Sequence, residues 1–114
     1  MNIGLDFDDT ITVNPGFFSK FTNDLSKHGN KIYIISSCDK ISEPFFEEMF
    51  ENKARRLKEW RILYEALELV KEPVPENKAL LCKRLGISVM IDNDRDNLTA
   101  IKGIDKAILC LQVI

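Results

Sequence analysis

The chain has 114 residues, 16 Lys and Arg against 18 Asp and Glu, a formal net charge of -2 and a pI of about 5.4. That length allows one buried core and is too short for two. The charge balance excludes bulk electrostatic attraction to nucleic acid or to an anionic membrane, leaving only local patches to act in that way. With 45% hydrophobic and 30% charged residues, the composition is that of a globular protein rather than a disordered or fibrous one. Three cysteines, Cys38, Cys82 and Cys110, are odd in number and lack metal-ligand spacing, so they read as reduced cytosolic thiols. No apolar run approaches the roughly 18 residues of a membrane span, and Asp6 interrupts the N-terminus before a signal-peptide core can form. A cytoplasmic, soluble protein with no membrane partner is expected.

Residues 2 to 6 form the first predicted strand, in which the apolar Ile3-Gly4-Leu5 delivers Asp6-Phe7-Asp8-Asp9-Thr10 to its C-terminal edge. Alternation along a strand would place Asp6 and Asp8 on one side. Two unit charges about 4 Å apart repel by about 4 kcal/mol at an effective dielectric near 20, so a cation or a proton belongs beside them. Pro15-Gly16 then punctuates, and Phe17, Phe18, Phe21 and Leu25 recur at helical spacing up to Gly29, a C-cap. His28, in the last turn, is accounted for by the helix dipole. Ile32-Tyr33-Ile34-Ile35 reads as a second buried strand, followed by the polar turn Ser36-Ser37-Cys38-Asp39. Cys38 reads there as a small apolar filler.

Ser42 as N-cap and Pro44 in the first turn open a second helix, whose apolar positions Phe46, Met49, Phe50, Leu57 and Trp60 lie mostly along one stripe. These aromatics, with Phe45, read as core rather than as a base-stacking surface. Lys53, Arg55, Arg56, Lys58 and Arg61 fall on the same segment; a solvated helix surface is the favoured reading and a contact for an anionic polymer the lesser one. Residues 64 to 70 fit a continued helix by propensity and a strand by alternation. A strand ending near Val70 is favoured, because Pro73 and Pro75 close it. A helix over 76 to 85 with Gly86 at its end, a strand over 87 to 91 stopping at Asp92, a short helix over 97 to 102 and a last strand over 107 to 113 complete the chain.

Strands alternating with helices predict a single α/β domain over 1–114, a three-layer α/β/α sandwich around a Rossmann-like parallel sheet of about five strands with right-handed crossovers. In open sheets of this kind ligands bind at the carboxyl ends of the strands. Asp6, Asp8, Ser36, Asp92 and Asp96 all follow strand ends, so one rim of the sheet gathers four carboxylates and a hydroxyl.

The pattern D-F-D-D-T, then the strand-ending Ser36, then Lys78 at a helix start, then I-D-N-D-R-D-N from 91 to 97 resembles the haloacid dehalogenase-like phosphatase superfamily, with its four motifs in order. The stretch K-A-L-L-C-K-R-L-G-I-S-V-M-I-D-N-D is similar to the deoxyribonucleotidase-like subgroup. The resemblance implies a Mg²⁺-dependent phosphomonoester hydrolase that works through an aspartyl-phosphate. Asp6 would be the nucleophile, and Asp8 the general acid and then base, with a pKa raised by neighbouring carboxylates. Thr10, Ser36, Ser37 and Lys78 would form the phosphate-binding set, with Thr10 buttressing the loop, Ser36 preferred to Ser37 and Lys78 preferred to Lys83. Asp6, Asp8 and Asp92 would hold Mg²⁺, Asp96 either ligating or supporting it, and an all-oxygen set suits that ion. Asp94 reads as a solvated loop residue. The chain departs from the family pattern at Asp9, where many members carry glycine, and at Asn93, where many carry a second aspartate.

Only residues 11 to 30 separate Thr10 from Lys31, enough for one helix and no cap domain. An uncapped site suits a nucleotide or other exposed small phosphate, enclosed by a homo-oligomer partner, or a macromolecular phosphate. The alternatives are a 3′-phosphatase of polynucleotide ends, with nucleic acid the lesser partner, and a non-enzymatic phosphoacceptor of the receiver type or a phosphate-binding domain without turnover. A receiver would carry its paired acids after the first strand and its lysine after the last; here the lysine precedes Asp92, which favours the phosphatase.

Overall fold

The apolar run Ile3-Gly4-Leu5 forms the central strand of a five-stranded sheet in a computed structural model that describes residues 1–38 and 43–114. The expected N-cap Ser42, and Asp39 of the polar turn, lie outside the described residues. Strands β1 (Asn2–Leu5), β2 (Lys31–Ser37), β3 (Ala66–Val70), β4 (Ile87–Asp92) and β5 (Leu109–Gln112) are arranged in the order β3-β2-β1-β4-β5. Every neighbouring pair is parallel. Helices α1 (Pro15–Lys27), α2 (Glu43–Glu59), α3 (Val74–Arg84) and α4 (Arg95–Ile104) alternate with the strands.

The two faces of the sheet bury separate cores, which makes the three layers. Leu5, Phe7, Phe18, Ile34 and Leu57 join β1 and β2 to α1 and α2, whereas Ile35, Cys82, Met90 and Ile101 join the sheet to α3 and α4. Gly4 makes room at the second interface: a Cβ there would come within 2.5 Å of Met90 Sδ, and the methionine side chain would have to shift. The order 3-2-1-4-5 belongs to the doubly wound dinucleotide-binding type and differs from the 2-1-3-4-5 order of receiver-like domains. Its connections reverse direction between β1 and β4, so the carboxyl ends of those two strands border the crevice where such folds bind ligands.

Local differences from the sequence reading have identifiable causes. The segment 64 to 70 is a strand, β3, beginning at Ala66. Helix α3 starts at Val74 rather than 76, because Pro75 in its first turn needs no intrahelical N–H partner. Helix α4 starts at Arg95, because the Asp94 side chain accepts the N–H groups of Asp96 and Asn97 as its cap. The C-cap of α1 is His28, with Gly29 following at φ 80.

The stripe expected on α2 is the larger correction. Phe50 is 38% exposed and Phe45 is exposed too, so neither belongs to the core. The buried positions of α2 are Lys53 and Leu57, with Met49 half-buried one turn before them, so one of the two fully inward places is held by a lysine. Trp60 lies just past the helix and stacks on Phe7 at 6.0 Å between ring centroids. Among the described residues no helix is long and apolar enough to cross a membrane.

Candidate active site

Asp6 leaves β1 with its N–H donating to the Ile91 carbonyl at 2.9 Å, which extends the β1–β4 pairing and brings its side chain beside Asp92 at the end of β4. The two carboxylates share one cation. Lys78 Nζ, from the start of α3, donates to Asp6 Oδ1 at 2.8 Å and to Asp92 Oδ2 at 2.9 Å. Lys78 is 1% exposed and Asp92 0%, whereas Lys83, further along α3, is exposed. Thr10, fully buried, donates its hydroxyl to Asp6 Oδ2 at 3.1 Å, so it holds the aspartate instead of facing the cavity.

Electrostatics at this triad follow from burial. Withdrawal from water pushes the Asp6 carboxyl up to about 6 from 3.8, with Lys78 acting against the shift and Asp92 adding to it. Burial also pulls the Lys78 ammonium down, but Asp6 and Asp92, through charge and hydrogen bonds, more than offset that and hold it above the usual lysine value. Lys78 is therefore a fixed positive charge at neutral pH.

Asp8 diverges from Asp6, because the chain turns immediately after β1: Phe7 goes into the core and Asp9 takes the left-handed region at φ 60. The Asp8 carboxylate, 54% exposed, accepts from Lys53 Nζ of α2 at 3.0 Å. Lys53 Nζ also donates to the Ser36 hydroxyl and, at 3.2 Å, to the Ser37 carbonyl. The expected repulsion between Asp6 and Asp8 is thus relieved by giving each carboxylate its own lysine. Ser36 is fully buried behind Lys53, while Ser37 lines the cavity.

That cavity, about 280 Å³, opens over Asp6, Asp8, Ser37, Lys78 and Asp92. The loop after β4 closes its floor. Asp92 Oδ1 accepts from the Asp94 N–H at 3.0 Å, and Asn97 Nδ2 donates to Asp92 Oδ2 at 3.3 Å. Asp94, the cap of α4, lines the cavity. Asp96 does not: the first turn of α4 carries it to solvent and turns Asn97 inward, so the fourth metal candidate is not brought to the site.

Which groups could hold a divalent cation is indicated by Asn93. The amide orientation that satisfies its surroundings donates to Asp6 Oδ2 at 2.9 Å, Asp92 Oδ1 at 3.2 Å and the Asp8 carbonyl at 3.2 Å. Two carboxylate oxygens and one carbonyl oxygen converging on a single donor are the ligand type that Mg²⁺ takes. Asp8 would contribute its main chain there, since its side chain is engaged by Lys53. Among the described residues no group of three or more His, Cys, Asp or Glu side chains is arranged to hold a metal.

Two participants were not singled out as site residues from the sequence. Asn97 is the third residue after the cap Asp94, a position that folds back over the preceding strand end. In sequence Lys53 reads with Arg55, Arg56, Lys58 and Arg61 as solvated surface. Its place one turn from both Met49 and Leu57 was the available signal. Arg56 also turns inward, lying 5.1 Å from the Phe7 ring and 4.9 Å from the Trp60 ring, whereas Arg55, Lys58 and Arg61 are exposed.

No protein-family model matches the chain, and no curated protein matches it. Among solved structures it is similar to a protein of the universal stress protein family from Burkholderia pseudomallei, with 13% identity, a TM-score of 0.60, and 98% of this chain covering 94% of that one. A universal stress protein in complex with cAMP is similar at 10% identity and a TM-score of 0.62, covering 100% of this chain and 97% of the other. A chain in the structure of a Pnkp1/Rnl/Hen1 complex is similar at 14% identity and a TM-score of 0.66; 98% of this chain covers 45% of that one. At these identities the likeness is one of fold: a doubly wound parallel sheet with helices on both faces.

Proposed function

We propose that the chain is a Mg²⁺-dependent phosphomonoester hydrolase of the haloacid dehalogenase-like kind. The observation that carries this reading is the Asp6–Lys78–Asp92 triad at the switch point of the sheet, beside an oxygen set suited to a divalent cation. The family assignment itself rests on the motifs, since none of the three structures described above is named as such a phosphatase.

In the proposed reaction an Asp6 carboxylate oxygen attacks phosphorus, forming the acyl–phosphate bond as the P–O bond to the leaving alcohol breaks. Asp8, at the open edge of the cavity, gives its proton to the departing alkoxide and then takes one from the water that attacks the aspartyl-phosphate. That second displacement frees inorganic phosphate and returns Asp6 to its carboxylate. Lys78 keeps Asp6 oriented and offsets charge on the transferring group, while the Ser37 end of β2 borders the space for the phosphate oxygens. When bound by Asp6, Asp92 and the Asp8 carbonyl, Mg²⁺ would supply the positive charge that lets a dianionic phosphate approach a site with more carboxylates than lysines.

The open cavity and the cAMP held by one protein of similar fold support testing nucleotides first. The exposed Arg55, Lys58 and Arg61 give a polynucleotide end a weaker claim. Turnover of a generic aryl phosphate should appear with Mg²⁺ and vanish with EDTA or in Asp6→Asn. Equal rates in all three would reject the mechanism. A panel of nucleoside monophosphates and 3′-phosphorylated oligonucleotides then separates the substrate classes, and preference for the oligonucleotides would promote a polynucleotide 3′-phosphatase.

A further inference from the structure

Lys53 is a buried lysine on the apolar stripe of a helix, and all three of its protons are engaged: by Asp8 Oδ2, by the Ser36 hydroxyl and by the Ser37 carbonyl. A buried ammonium is expensive unless fully partnered, so an apolar residue at this position, flanked by Met49 and Leu57, would suit the fold better. Its three partners also define what it can do. With no proton left over it is not placed as a free phosphate ligand, and as a group that only donates it engages the oxygen it touches as an acceptor.

We infer that Lys53 is the positioning residue for Asp8, tying this loop aspartate to the end of β2 and fixing which of its oxygens is left to face the leaving group. This rests on the phosphatase reading given above. Lys53 Nζ takes Asp8 Oδ2 as its acceptor, which leaves Oδ1 as the oxygen turned away from Lys53. Anchoring by Lys53 also ties the orientation of Asp8 to Ser36 and Ser37, the strand end bordering the phosphate space. Asp8 is 54% exposed and belongs to a loop with left-handed backbone at Asp9, so without that anchor its carboxyl has no other side chain among the described residues to fix it.

The readout is leaving-group dependence. p-Nitrophenolate departs without a proton; the alkoxide of benzyl phosphate needs one. Because Asp8 also serves the hydrolysis of the aspartyl-phosphate, which both esters share, the comparison is made on kcat/KM, which reports the step in which the alcohol leaves: Lys53→Met should lower kcat/KM on benzyl phosphate about 10- to 100-fold, the scale of a general-acid contribution, while kcat/KM on p-nitrophenyl phosphate changes by less than about threefold. Lys53→Arg, which restores a cation to Asp8, should recover most of the loss on benzyl phosphate. If the methionine variant does not fold, Lys53→Leu, likewise without a donor for Asp8, carries the same comparison. Equal falls in kcat/KM on both esters would overturn the positioning role and make Lys53 a phosphate contact. Wild-type protein that turns over neither ester with Mg²⁺ would overturn the phosphatase reading and this inference with it; wild-type turnover lost in Asp6→Asn, with no difference between esters in the Lys53 variants, would overturn this inference alone.

Discussion

Lys78 Nζ lies 2.8 Å from Asp6 Oδ1 with both side chains buried, so one ammonium inside the protein is what permits a carboxylate at the end of β1. Lys78→Met would leave Asp6 and Asp92 facing each other without a cation. Loss of one partner from a buried pair costs about 3–5 kcal/mol, and urea unfolding of the metal-free variant should show a fall of that size. Added Mg²⁺ should return part of it if the same carboxylates bind the ion. A variant as stable as wild type in EDTA would show that the ion pair does not hold this region together.

The pH dependence of stability follows from Asp6, whose carboxyl is pushed up to about 6 in the folded protein against 3.8 for the free group. Below about pH 4 the group is protonated in both states. Between about pH 4 and pH 6 the unfolded chain releases this proton while the folded chain retains it, so the contribution of Asp6 to stability is full at low pH and is lost as pH rises through the folded value. In metal-free protein, wild type minus Asp6→Asn should therefore show a difference in unfolding free energy that declines over that window and is flat above it. Denaturant titrations at half-unit pH steps in EDTA measure this; a difference that grows with pH would reverse the assignment.

The alternation of helices and strands was legible because hydrophobic period, proline and glycine agree along most of the chain, and the carboxyl-end rule then brought Asp6 and Asp92 to one rim. The side chains that converge from separate elements were harder to see. Asp96 and Asn97 differ by one position on α4, and the start of the helix at Arg95, fixed by the Asp94 cap, decides which of them faces Asp92. Lys53 stands amid four other basic residues in sequence, and its spacing one turn from Met49 and Leu57 is a weak signal beside that run of charge until α2 packs on the sheet and buries it. Phe50 shows the converse: an apolar residue at helical spacing that the packing of α2 leaves 38% exposed.

Binding of Mg²⁺ can be tested apart from turnover. If Asp6, Asp92 and the Asp8 carbonyl displace the Asn93 amide in favour of the ion, the folded state is stabilised by mass action, by about 2.7 kcal/mol at a free concentration 100 times Kd. The unfolding midpoint should rise with Mg²⁺ in wild type. Asp92→Asn should weaken the apparent Kd by tenfold or more, about 1.4 kcal/mol, while Asp96→Asn, exposed on α4, should leave it unchanged. An equal loss in both variants would return Asp96 to the ligand set.

Asp9 has backbone in the left-handed region at φ 60, where its N–H donates to Thr12 Oγ1 at 2.9 Å. Aspartate tolerates this conformation better than most residues and glycine adopts it freely, which gives a physical reason for the glycine common at this place in the phosphatases the sequence resembles. Asp9→Gly should leave stability within about 1 kcal/mol of wild type, the strain relieved offsetting the added freedom of the unfolded chain. Asp9→Val, β-branched at positive φ, should cost about 1–2 kcal/mol through the same backbone position. The two replacements remove the same exposed carboxylate, so their difference in urea unfolding isolates the backbone from the charge. Equal effects would mean that the loop relaxes around valine, and the turn that separates Asp8 from Asp6 would then be maintained by the Lys53 and Thr12 contacts without help from the conformation of residue 9.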